Sequence, residues 1–180
     1  IGKGVPIDEE TLFRLFFADD QVIVAGDEAD AHYILRKLKE EYEKWGLTIN
    51  MSKTEYLKTG DNTVDDIQLG YDTVKGCRSF KYLGVTLSSN GRSIEDVNNK
   101  IGQGKRAIKQ LNSVLWNNSI TRRTKHIIYH SIIESITTYG AELWELTKRQ
   151  KDRLLAVEMN FWRRSCGISK VGHIRNNRIR

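Results

Sequence analysis

The sequence predicts an α+β chain, in which a small antiparallel sheet with one helix packed on it is followed by a wholly helical segment. Three observations predict it. Short aromatic and β-branched runs broken by glycine fill the first half, apolar residues recur every three or four positions in the second, and the charge changes sign between them. Residues 1–74 hold 8 Lys+Arg and 16 Asp+Glu, net −8, and residues 75–180 hold 21 and 7, net +14, giving the +6 of the whole chain. A basic segment beside an acidic one suits a phosphate clamp next to carboxylates that hold cations. Ordinary solvated helix faces produce the same composition.

Leu12–Phe17 (LFRLFF) and Gln21–Ala25 (QVIVA) are separated only by Ala18-Asp19-Asp20, which reads as a hairpin. Asp27 caps a helix whose apolar face is Ala31, Ile34, Leu35, Leu38, Tyr42 and Trp45, and Gly46 stops it. From Leu47 to Leu87 the pattern turns to short extended pieces punctuated by Gly60, Gly70, Gly76 and Gly84, expected as antiparallel strands. Ser93 with Asp96 opens a second helix along Val97, Ile101, Ile108, Leu111 and Leu115. A third is expected over about 122–139, with Ile128, Ile132 and Ile136 inward and Gly140 as terminator. Thr147 with Gln150 makes a capping box for a fourth, which carries Leu154, Leu155, Val157, Met159, Phe161 and Trp162 and ends at Gly167. The boundary between the sheet and the helices is expected near Ser88–Arg92, giving domains 1–90 and 91–167 and a mobile basic tail, 168–180.

Composition narrows the function. With 39% apolar and 29% charged residues, the 180-residue chain is not collagen-like, mucin-like or wholly disordered. No apolar run approaches the roughly 20 residues of a bilayer-spanning helix, and the start lacks the layout of a signal peptide. Cys77 and Cys166 are too few for a disulfide framework and lack metal-ligand spacing, which fits a reducing intracellular compartment. The opening Ile1 reads as a cut end of something longer.

The acidic hairpin carries the chemistry. Two adjacent carboxylates between two strands expected to be buried are penalised by desolvation and mutual repulsion, and a divalent cation relieves both. Paired ions bridging carboxylates are the usual apparatus for in-line attack of a hydroxyl on a phosphoryl group. An Asp-rich turn explains the same letters by local hydrogen bonding. His126 and His130, four apart on the third helix, are a spacing that can hold zinc, but no third ligand is evident and none is expected to bind; Cys166 and His173 fall short of a zinc knuckle. Trp116, Trp144 and Trp162 are assigned to packing.

Phe17-Ala18-Asp19-Asp20 between apolar strands resembles the aromatic-Ala-Asp-Asp box of reverse transcriptases. Gly46-Leu47-Thr48-Ile49-Asn50-Met51-Ser52-Lys53-Thr54-Glu55 is similar to the next box of that family, and Phe80-Lys81-Tyr82-Leu83-Gly84 to its primer-supporting hairpin. Tyr139-Gly140-Ala141-Glu142-Leu143-Trp144 resembles the thumb of the non-LTR, LINE-type enzymes. The resemblance implies a partial polymerase palm followed by an α-helical thumb, acting on an RNA template, a DNA primer or target and deoxynucleoside triphosphates, in the nucleus. It also implies Mg²⁺, or Mn²⁺, held by Asp19 and Asp20, with Lys53 beside the nucleotide phosphates as a general acid.

By the same resemblance Phe80, Lys81, Tyr82, Leu83 and Gly84 press on the primer; on the basic helices Lys100, Lys105, Arg106, Lys109, Arg122, Arg123 and Lys125 are the candidates to hold template–primer phosphates without reading sequence, and which of them face the duplex is not readable from the letters. A surface lysine at position 53 and a plain core hairpin at 80–84 are the structural alternatives. The family's further carboxylate lies upstream of the Asp-Asp hairpin, and nothing around Asp8, Glu9 and Glu10, the only earlier acids, resembles its box. The isolated chain, without upstream fingers and palm, is therefore expected to be inactive. A non-catalytic nucleic-acid-binding remnant of a truncated or domesticated retroelement is the competing expectation.

Overall fold

The computed structural model describes residues 4–7, 10–12, 14–60, 63–169 and 172–179; Asp8, Glu9 and Phe13 lie outside them. The chain divides into two compact units, Ile1–Arg78 and Ser79–Arg180. Counted by unit, the first holds 10 basic and 16 acidic residues and the second 19 and 7, so the sign change in the sequence follows the physical division.

In the first unit β1 (Val5–Ile7) pairs antiparallel with β2 (Glu10–Leu12), and β3 (Arg14–Phe17) with β4 (Asp20–Ile23). Helix α1 (Glu28–Lys44) follows, begun by Asp27, whose side chain accepts from the Asp30 N–H at 2.7 Å. Glu28 and Asp30 in its first turn and Lys44 in its last suit the helix dipole. β5 (Glu55–Leu57), β6 (Ile67–Leu69) and β7 (Asp72–Cys77) form a sheet in the order β5-β7-β6. The helix packs on β6 and β4, and Ala31, Ile67, Leu69 and Val74 form the buried core, joined by Leu35, Met51 and Tyr56.

Two expectations for this unit need correction. The strands form separate small sheets rather than one, and β5 runs parallel to β7 on the edge opposite β6, which the tight turn at Gly70-Tyr71 pairs antiparallel with β7. Trp45, expected on the inner face of α1, is 80% exposed: it caps the helix end, where the chain leaves the core.

Cys77, half-buried at the end of β7, has its thiol pushed up to about 11 by burial and by the adjacent Glu55. A raised value keeps the reactive thiolate scarce until the pH nears 11, so alkylation at pH 8 is expected to label exposed Cys166 and spare Cys77. Mass spectrometry of iodoacetamide-treated native chain checks this; equal labelling of the two would contradict it.

The second unit opens with the hairpin β8 (Ser79–Tyr82) and β9 (Val85–Ser88), followed by α2 (Ile94–Gln110) and α3 (Asn112–Trp116). Next come α4 (Arg122–Ile128), a π-helical segment (Tyr129–Glu134), α5 (Ser135–Thr138) and α6 (Lys148–Ser165). Val97, Ile101, Ile108, Leu115, Ile133, Val157 and Phe161 make its core. The unit begins ahead of the expected Ser88–Arg92 boundary because the hairpin packs on α2.

The capping box of α6 is present, with the Thr147 N–H donating to Gln150 Oε1 at 2.8 Å. The one expected at Ser93 is not: Ser93 makes no side-chain cap, and Asp96 is buried on other duty. The single helix expected over 122–139 contains the π segment, whose wider turn rotates the later residues by one position. Ile133 and Thr137 are therefore buried where Ile132 and Ile136 were expected. Nor do the described residues 172–179 of the tail lie loose: Arg163 donates to the Ile174 carbonyl at 2.6 Å and to Asn176 at 2.9 Å, and Ile179 is buried.

Candidate functional site

Phe17 pairs with Asp20 across the β3–β4 hairpin, leaving Ala18 and Asp19 as its two-residue turn. Ala18 sits at φ 51°, the left-handed region that alanine enters at a cost of roughly 1–2 kcal/mol, and that conformation closes the turn at Asp19. Next to Asp20, the Gln21 side-chain amide donates to the Tyr42 hydroxyl and ties the hairpin to α1. The expected burial is only half met: β4 is half-buried from Gln21 to Ile23, and β3 is not buried. Phe17 is 62% exposed, β3 is exposed along its length, and both aspartates face solvent, since among the described residues β3 and β4 form a two-stranded sheet with no third strand beside it.

Among the described residues, no three His, Cys, Asp or Glu side chains come together as a metal-holding group. Asp19 and Asp20 supply hard oxygen donors, and magnesium commonly takes one or two carboxylates and fills its remaining positions with water and substrate phosphates. The donor set therefore fits part of such a site. Lys53 is exposed in the Met51–Lys53 turn, which is closed by the Asn50 carbonyl accepting from the Lys53 and Thr54 N–H groups. Among the described residues its ammonium has no side-chain partner.

The β8–β9 hairpin is held far more firmly. Leu83 and Gly84 form its turn, both at positive φ (46° and 83°), as a type I′ turn requires. The Tyr139 hydroxyl donates to the Leu83 carbonyl at 2.9 Å, and the Lys100 ammonium donates to the Gly84 carbonyl at 2.6 Å while lying 4.7 Å from the Tyr139 ring. A side chain at position 84 would meet the Tyr139 ring at 3.1 Å, so the close approach that Gly84 allows is made by that ring. One helical turn before Lys100, Asp96 accepts from the Thr86 N–H at 2.9 Å and from the Trp144 indole N–H at 2.8 Å. Phe80, Tyr82 and Gly84 are half-buried, and Lys81 and Leu83 exposed.

Asp96, Tyr139 and Trp144 are thus bracing residues that reading by residue type missed. Spacing offered one signal, since Asp96 and Lys100 lie one turn apart on the face that meets the Tyr139–Trp144 stretch. Tyr139→Phe, which keeps the ring under Lys100 and removes one hydrogen bond, is expected to cost about 0.5–1.5 kcal/mol in urea unfolding of this unit. An unchanged midpoint would contradict the brace.

The seven basic residues separate into two kinds. Lys105, Arg106, Lys109, Arg122 and Arg123 are exposed, and among the described residues none has a side-chain partner. Lys100 and Lys125 are 3% and 4% exposed, which corrects the expectation that they hold phosphates. The Lys125 ammonium donates to the carbonyls of Leu115 at 2.7 Å and Ser165 at 3.1 Å, joining α3, α4 and the end of α6. A buried ammonium already bonded to carbonyls is not free to meet a phosphate. Of the tryptophans assigned to packing, Trp144 and Trp162 are half-buried, whereas Trp116 is exposed and donates to Asn112 at 3.0 Å.

Residues 6–87 match the family model for reverse transcriptase (RNA-dependent DNA polymerase). The match takes in the Asp19-Asp20 hairpin, α1, the Lys53 turn and the β8–β9 hairpin up to Leu87. A Caenorhabditis elegans protein described as transposon-derived is 24% identical over 168 residues, covering 91% of this chain and 60% of its own length. The chain thus spans about three-fifths of that relative. No solved structure matches. Among the described residues, no helix is long and apolar enough to cross a membrane.

Proposed function

We propose that the chain is part of a reverse transcriptase of the non-LTR, LINE type, in which the first unit contributes a portion of the palm and the second the thumb. The observation that carries this reading is the order of the family match: an aromatic-Ala-Asp-Asp hairpin, a packed helix, the Lys53 turn and the Tyr82-Leu83-Gly84 hairpin in one stretch. Transposon derivation of the C. elegans relative supports the retroelement class. In this reading Asp19 and Asp20 hold magnesium, which when bound neutralises phosphate charge at the primer end and the nucleotide. Lys53 offers a proton to the departing pyrophosphate, the Phe80–Gly84 hairpin positions the primer backbone, and the five exposed basic residues hold the duplex through its phosphates. The setting of action is the nucleus.

Among the described residues only the aspartate pair serves the ions, so this 180-residue chain by itself is proposed not to extend primers. Extension on an RNA template that Asp19→Ala abolishes would overturn that statement. Binding is tested separately. Affinity for an RNA–DNA hybrid should fall with salt, each phosphate contact adding about −0.9 to the slope of log K on log salt for a B-form duplex. Arg122→Ala with Arg123→Ala should flatten that slope by up to about 2. A slope near zero for the unmutated chain would sink the reading. Mn²⁺ binding followed by electron paramagnetic resonance decides whether the acidic hairpin is functional: loss in Asp19→Ala supports the polymerase part. Hybrid binding with no Mn²⁺ at this hairpin would instead favour a non-catalytic remnant.

A further inference from the structure

We propose that His126 and His130 form a zinc-binding half-site on the outer face of the second unit, independent of the acidic hairpin. His126 lies in α4 and His130 in the π segment, and their Nε2 atoms are 3.3 Å apart. Two nitrogens bound to one Zn²⁺ at about 2.0–2.1 Å and the tetrahedral angle stand about 3.3–3.4 Å from each other. The two nitrogens already have the separation of zinc ligands, and the rings, with centres 4.3 Å apart and planes at 49°, need to swing apart to about 5 Å for both lone pairs to meet one ion.

Proton placement agrees. His130 Nδ1 contacts the Glu134 carboxylate, which accepts, so Nδ1 carries a proton and, in the neutral ring, Nε2 is the nitrogen that keeps a lone pair on the side of His126. A carboxylate behind a histidine is the arrangement that fixes a metal-binding tautomer and strengthens the ligand. The rings are braced as well: Tyr129 meets His130 edge-on at 5.1 Å, and the Trp162 ring lies 5.6 Å from His126. Both histidines are exposed, so two coordination positions stay open to water. Imidazole donors suit zinc and its transition-metal neighbours, not magnesium, which separates this site chemically from Asp19 and Asp20. Because the two ligands straddle the junction of α4 and the π turn, a bound ion would clip that junction and stabilise the folded unit by mass action.

The same 3.3 Å contact arises if one imidazole donates a hydrogen bond to the other and nothing more. Calorimetric titration of Zn²⁺ into the 180-residue chain, on a Cys77→Ser, Cys166→Ser background to remove thiol ligands, separates the two. One equivalent bound, with a rise in melting temperature, is expected. His126→Ala and His130→Ala should each abolish both effects, Glu134→Gln should weaken binding about 10–100-fold, and Asp19→Ala should leave it intact. Mg²⁺ should give no such transition. His130→Gln, which keeps a polar side chain in place, replaces His130→Ala if the latter fails to fold. Absence of Zn²⁺ binding, or binding that survives both histidine substitutions, would overturn the proposal.

Discussion

Replacing Asp96 by alanine is expected to lower the unfolding free energy of the second unit by roughly 2–4 kcal/mol, since a donor left without its partner costs about 1–3 kcal/mol when fully buried and this change orphans two half-buried ones. Asp96 is 1% exposed, and its two oxygens are divided between the Thr86 N–H of β9 and the Trp144 indole. One belongs to the hairpin and the other to the stretch after α5, so α2 holds both through a single side chain. Asparagine keeps one accepting oxygen but turns an amide N–H toward a donor, so Asp96→Asn should fall between wild type and alanine. Urea unfolding of the three chains measures the series, and a loss under 0.5 kcal/mol for alanine would show that the hairpin does not depend on this contact. The consequence for the proposed function is direct: the β8–β9 hairpin, proposed to position the primer, would keep only the Lys100 and Tyr139 bonds at its turn as ties to the helices that carry the exposed basic residues.

Sequence reading located what local chemistry determines. Asp27 capping α1, the Thr147–Gln150 box opening α6 and the hairpin through Ala18-Asp19-Asp20 are each specified by residues within four positions of one another, and each is found, with Asp20 in the strand rather than in the turn. What it missed depends on distant partners. Lysine is a surface residue by type, so nothing near Lys100 or Lys125 in the chain announces that carbonyls at Gly84, Leu115 and Ser165 will receive their ammonium groups. Asp96 has the spacing of a capping box with Ser93, and the local motif lost to tertiary donors in β9 and at Trp144. Exposure of β3 was equally invisible, because aromatic and apolar residues read as buried whether or not a neighbouring strand is there to cover them. Of the candidate site, the position of the Asp19-Asp20 hairpin was legible, whereas residue type alone did not separate the five exposed basic residues from buried Lys100 and Lys125. The brace around Leu83-Gly84, assembled from α2 and the 139–144 stretch, was not.

Gly104→Ala tests the packing that the π turn creates, with an expected loss of about 2–3 kcal/mol, toward the upper end of the overpacking range. Gly104 is buried in the middle of α2, where a methyl group would lie 2.4 Å from Thr137 Cγ2 and 3.2 Å from Val157 Cγ1. Thr137 cannot easily step aside, because its hydroxyl is bonded to the Ile133 carbonyl at 2.8 Å and to that of Glu134 at 3.2 Å. An uninterrupted α-helix would direct Ile136 inward, as its spacing from Ile128 and Ile132 suggests; the π turn brings the smaller Thr137 there instead, and α2 answers with a residue that has no side chain. If that reciprocity holds, Thr137→Ser, which removes the offending methyl and keeps the hydroxyl, should cost about 1 kcal/mol alone yet restore stability to the Gly104→Ala chain. The double mutant should unfold at higher urea than Gly104→Ala alone. Losses that simply add would mean the new methyl group is accommodated by moving the whole helix, and that the fit between Gly104 and Thr137 is not what sets the distance between α2 and α5.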